Sequence, residues 1–163
     1  MDATNLLREE FAKRQIGSKA FMALYAEVMA LVQRCSGYYD GRGKDDLASL
    51  EPAAARVFHS HWLYLTTGLM NASAAVLMLK AAIRDDVSLE AVADEIGDIR
   101  FLEGGNLQSR RECLPAIVVE MTEQLERVKQ EIARYVRIVA PRLREFPDDP
   151  DGGSLPGFGP QAA

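Results

Sequence analysis

The chain has 163 residues, a formal net charge of -5 and an apolar fraction of 48%, values that fit one folded domain and argue against a fully disordered chain. The acidic balance argues against broad phosphate neutralisation, so no nucleic-acid partner is expected. Two cysteines, Cys35 and Cys113, make no disulfide framework, and neither lies in a CxxC or Cys/His metal spacing.

The opening MDATNLLREEFAKRQ is charged throughout and has no apolar core of a secretory leader. A cytoplasmic location with reduced thiols is the expectation. Residues 1–17 read as a flexible arm: Leu6, Leu7 and Phe11 make at most one amphipathic turn before Gly17 breaks the segment.

A first helix is predicted over 18–39. Ser18 suits its N-cap, and Phe21, Leu24, Tyr25, Val28, Leu31, Val32, Cys35, Tyr38 and Tyr39 recur in steps that form one apolar stripe. Asp40, Gly41, Arg42 and Gly43 stop it, and residues 40–50 read as a loop.

Pro52 fits the first position of a second helix, where its missing N–H needs no partner. That helix should run to about 84. From Trp62 to Leu79 it carries 18 residues without a charge, the length at which a membrane span must be weighed. Thr66, Thr67, Asn71 and Ser73 lower its hydrophobicity, and no flanking lysine cluster sets an orientation. The centre of a bundle or a dimer seam is the expected place for such a helix, with no membrane span. Gly68, Ala72 and Ala75 offer a strip along which another helix can approach closely.

Residues 88–96 read as a short helix capped by Ser88, followed by a loop turning at Gly104 and Gly105. The last helix is predicted over 115–145. Val118, Met121, Leu125, Val128, Ile132, Tyr135, Val139 and Leu143 follow the alternating three-four spacing of a bundle seam, and Pro141 should kink or end it. The tail over 147–163 has three aspartates, is rich in Pro and Gly, and carries only Leu155 and Phe158 as large apolar groups. It reads as disordered. The fold class is therefore all-α: an antiparallel three-helix bundle over 18–146, with one extra short helix and disordered termini.

The chain is poor in chemistry-bearing patterns. His59 and His61, two residues apart, fall on different helix faces and cannot share a metal. No Glu-x-x-His, phosphate-binding loop or dinucleotide fingerprint occurs. Cys35 lies on an apolar stripe and reads as an inert buried thiol. Cys113 follows Arg110 and Arg111, a weak redox signal. Bulky Trp62, Leu63, Tyr64 and Leu65 after the two histidines disfavour a phosphotransfer site. No catalytic residue, metal or cofactor is expected. The chain should offer surfaces.

The segments SKAFMALYAEVMALV at 18–32, YYDGRGK at 38–44 and LTTGLM at 65–70 resemble the RcdA family, the regulator of CtrA degradation. The matching residues include Ser18, Phe21, Glu27, Tyr39, Asp40, Gly41, Gly43, Thr66 and Met70, and the likeness is good over about 18–85. Gly68 stands where the family commonly has arginine. The resemblance implies a homodimeric three-helix bundle with a flexible C-terminal tail that acts as a ClpXP adaptor without making or breaking a bond. Its implied partners are a single-domain response regulator on the ClpX unfoldase complex, a cyclic-di-GMP-binding protein, and the substrate. Partner contacts are expected at Tyr39, Asp40, Gly41, Arg42 and Gly43, and in the tail at Asp148, Asp149, Leu155 and Phe158. Ala162 and Ala163 resemble a recognition tag for the same protease. Two other readings stand beside this one: a structural or dimerising bundle with no proteolytic role, and a histidine phosphotransfer bundle.

Overall fold

The structure, a computed structural model, describes residues 3–84, 86–98 and 111–139. These form six α-helices: α1 (Ala3–Ile16), α2 (Lys19–Asp40), α3 (Arg42–Ala48), α4 (Pro52–Ile83), α5 (Leu89–Asp98) and α6 (Ala116–Val139), with a 3-10 turn at Arg111–Cys113.

α2 begins where Ser18 was expected to cap it, its Oγ accepting a hydrogen bond from the Phe21 N–H at 3.2 Å. Its buried residues are Phe21, Leu24, Val28, Leu31, Cys35 and Tyr38, the predicted stripe. α4 opens on Pro52 as expected. α5 is capped by Ser88, whose Oγ accepts from the Ala91 N–H at 3.2 Å. In α6 the seam Val118, Met121, Leu125, Val128 and Ile132 is buried. The predicted continuation to 145, Pro141 and the tail lie outside the described residues.

Two segments differ from their sequence reading. The supposed N-terminal arm is helical over Ala3–Ile16, because Ala12 and Ile16 are buried against the bundle while Leu6, Leu7 and Phe11 stay exposed. Tertiary burial, absent from any local pattern, fixes this helix. The predicted loop at 40–50 contains α3. Only Gly41 interrupts the helices; Gly43 is buried against Tyr38, and an added Cβ there would lie 2.8 Å from the Tyr38 carbonyl oxygen. The Tyr38 hydroxyl donates to Asp46 Oδ2 at 2.9 Å, and Arg42 pairs with Asp46 one turn along α3 at 3.3 Å. The glycine that read as a second helix breaker is a packing glycine.

Side-chain pairs fix the helix directions. Tyr38 meets Trp62 while Lys80 sits over Tyr25, so α2 and α4 are antiparallel. Arg34 pairs with Glu120 while Phe21 meets Tyr135, so α2 and α6 are also antiparallel. α4 and α6 therefore run the same way, and α5 lies within the connection that brings the chain back to the starting end. At their crossing, an added Cβ on Gly68 would lie 2.6 Å from Leu125 Cδ2, with Ala72 and Ala75 buried alongside in α4. The small-residue strip is a close helix approach, as expected.

By length and composition α4 is apolar enough to cross a membrane, and a third of its apolar window is buried inside the bundle. Phe58, Leu65, Leu69, Val76 and Leu79 face that core. Leu63, Met70 and Leu77 do not, at 68%, 73% and 49% exposure.

Candidate interaction surface

The corner between α2 and α3 holds the turn residues singled out in the sequence. Tyr39, Asp40, Gly41 and Arg42 are exposed there, and Gly43 is buried. Gly43 thus supports the corner from within and has no surface to offer a partner. Asp148, Asp149, Leu155, Phe158, Ala162 and Ala163 lie outside the described residues.

The corner is held rigid by rings. Trp62 is stacked on Tyr39 at 5.4 Å and on Phe58 at 5.9 Å between centroids, and Tyr38 tilts against it at 5.8 Å. Such pairs add about 0.5–1.5 kcal/mol beyond their burial. Burial, then the hydrogen bond to Asp46, raises the Tyr38 phenol pKa, so this hydroxyl remains a neutral donor. Tyr39 is held against Trp62 at about half exposure.

From this aromatic end an apolar groove of about 630 Å³ runs between α2 and α4, lined by Val32, Tyr39, Trp62, Leu69, Met70 and Leu77 among others. Sequence reasoning did not single it out. Its signal was present in the helical spacing of Trp62, Leu69, Met70 and Leu77, but which face of α4 the bundle covers is not a local property. A second, polar cleft of about 510 Å³ lies at the corner, where Arg42 and Asp46 face Cys113, Pro115 and Glu120.

The thiols separate as their positions suggest. Cys35 is buried with its Sγ 3.5 Å from Met121 Sδ, and burial pushes its thiol pKa up to about 11. Cys113 is exposed, and its neighbour Arg111 pairs with Glu123 at 3.5 Å. Among the described residues no group of three or more His, Cys, Asp or Glu side chains is placed to hold a metal ion.

His59 is exposed and His61 is buried, 2% accessible, on different faces as their spacing requires. A phosphoryl acceptor must be reachable by its donor, so burial leaves His61 unsuited to that role. Among the described residues no group bonds its Nδ1. Burial lowers the His61 pKa, and the nearby Arg111 charge lowers it further. The imidazole is therefore neutral in the fold near neutral pH. As pH falls below about 6.5 the unfolded chain takes up a proton there that the folded chain refuses, so stability is lost on acidification. We expect the urea midpoint to drop between about pH 7 and pH 5, and a His61→Leu variant to show a flatter profile over that interval. Parallel profiles would exclude His61 as the source.

These features define an all-α bundle with two candidate surfaces: an exposed, ring-braced corner and an apolar groove. The chain belongs to the DUF1465 family, described as a protein of unknown function, whose model matches residues 12–145. Its fold is similar to the crystal structure of RcdA from Caulobacter crescentus CB15, with a TM-score of 0.63, 24% identity, and coverage of 76% of this chain and 92% of that one. No curated protein matches the chain significantly.

Proposed function

We propose that this chain is a non-catalytic cytoplasmic adaptor that helps deliver cell-cycle regulators to the ClpXP protease. Family membership and an RcdA-like fold support the reading. The observation that carries it is the α2–α3 corner, where Tyr39, Asp40, Gly41 and Arg42 are displayed on a rigid support within the segment that resembles that family. An adaptor needs no reactive site. It raises the local concentration of a substrate at the protease, and two modest contacts suffice for a large gain. In this reading the corner meets the response regulator on the unfoldase or the cyclic-di-GMP-binding protein, and the tail with Leu155 and Phe158 tethers a further partner.

The test is reconstituted degradation with the protease, the response regulator and the cyclic-di-GMP-binding protein present. Adding this chain should speed substrate loss, and Tyr39→Ala with Arg42→Glu should reduce the stimulation by about tenfold, the loss of one linked contact. Partner binding without any stimulation would reject the adaptor role in favour of a structural bundle.

A further inference from the structure

The α2/α4 groove runs from Tyr39 and Trp62 at the corner to Val32 and Leu77 at its other end, and none of the described residues lining it is charged. Met70, between the two ends, is 73% exposed. A space of about 630 Å³ lies within the range of roughly 300–1,000 Å³ that takes a compact ligand. A charged occupant would leave its charge without a partner there. Of the segments outside the described residues, 99–110 and 140–151 carry charges of both signs, whereas 152–163 carries no charged side chain and holds Leu155 and Phe158.

The chain can deliver that segment to the groove. Tyr135, near the end of α6, meets Phe21, and Lys80 sits over Tyr25, so α6 leaves the bundle at the end away from the corner. At that end Arg14, Lys19, Arg84 and Arg137 are exposed, against exposed Asp86 and Glu90. The next carboxylates along the chain after this basic end, past Glu145, are Asp148, Asp149 and Asp151. The 15 residues between Val139 and Leu155 span up to roughly 50 Å when extended. Even the far end of the groove, at Tyr39, is 18 residues of α2 from Phe21, about 27 Å along the helix and about 10 Å around it.

Leu155-Pro156-Gly157-Phe158 also has the composition of a type II turn, with Pro second and Gly third. Such a turn brings its first and last residues together, so leucine and phenylalanine form one small apolar knob. We infer that this turn docks in the α2/α4 groove of its own chain, with Phe158 against the ring of Trp62 and Leu155 against Met70. The ring pair and the soft thioether suit those two side chains. A linker of this length holds the knob at an effective concentration of order millimolar, so a weak contact is mostly closed. Any partner that takes the groove, or Leu155 and Phe158, must first open it, which makes the contact autoinhibitory. The inference does not rest on the adaptor reading, and its test requires no protease.

Trp62, the single tryptophan of the chain, reports on the groove. Full-length protein carrying Cys113→Ser and Ser154→Cys is labelled at residue 154 with a nitroxide, a contact quencher; buried Cys35, its thiol pKa pushed up to about 11, stays unlabelled. Trp62 emission should fall more than about twofold relative to the reduced, diamagnetic label. Leu155→Asp with Phe158→Asp should restore it. So should Met70→Asp, without loss of helical circular dichroism, since that side chain is exposed. Labelled chains that also carry Trp62→Phe, mixed with unlabelled chains, should leave the emission of the latter unchanged. Absence of quenching in the labelled protein would overturn the proposal, whether the groove then takes a second copy or another partner. So would quenching that survives the aspartate variants, or quenching between chains in the mixture, which would place the knob in another copy.

Discussion

Replacing Leu125 by alanine is expected to cost about 3–4 kcal/mol, read as a lower urea midpoint with an unchanged slope. Leu125 is fully buried in α6 and caps Gly68 of α4 where those helices come closest. Its loss leaves a cavity that neighbours on rigid helices fill only in part. The reciprocal change, Gly68→Val, should cost about 2 kcal/mol, because the new side chain enters space that Leu125 occupies. The two changes are coupled. In the double variant the valine fills part of the cavity, so its cost should fall short of the sum by about 1 kcal/mol or more. Strict additivity would mean that the two residues do not share the crossing.

The second large effect lies at the polar cluster on the same helix pair. Lys129 is buried, 6% exposed, and its Nζ donates to the Tyr64 hydroxyl at 2.9 Å and to Glu126 Oε1 at 3.2 Å. The Tyr64 hydroxyl in turn donates to the same carboxylate oxygen. Burial pushes the Lys129 pKa down, but the Tyr64 hydroxyl and the Glu126 charge outweigh it and hold the ammonium above its ordinary value. Burial and the bond to Glu126 raise the Tyr64 pKa, with Lys129 opposing. Glu126→Leu removes the counter-charge and leaves the ammonium buried. We expect a loss of about 2–3 kcal/mol, below the value for a fully buried pair because Glu126 is partly exposed. Adding Lys129→Met should restore most of it, since an apolar pair of similar length needs no partner. A neutral Glu126→Leu variant would show that Lys129 reaches solvent.

The parts of this fold legible in the sequence are those whose burial repeats with the helix period. The stripes of α2 and α6 are covered along their length, so Phe21 to Tyr38 and Val118 to Ile132 could be read directly. α1 was missed because two buried residues, Ala12 and Ile16, anchor it, and neither is conspicuous beside exposed Leu7 and Phe11. α3 was missed because a glycine chosen for close packing looks the same in sequence as one chosen to break a helix. At the candidate site the exposed corner residues were legible as a motif. The groove was not, since an apolar heptad does not reveal which of its neighbours is already covered.

The position of α6 has a consequence for how the protein is made. This last described helix supplies Val118, Met121, Leu125 and Ile132 to a core shared with α1, α2, α4 and α5. A nascent chain leaves the ribosome N-terminus first, so the inner faces of the earlier helices stay wet until α6 has emerged. Synthesis up to α6, which begins at Ala116, therefore passes without a closed interior, and that interval is when holdase chaperones have the most surface to grip.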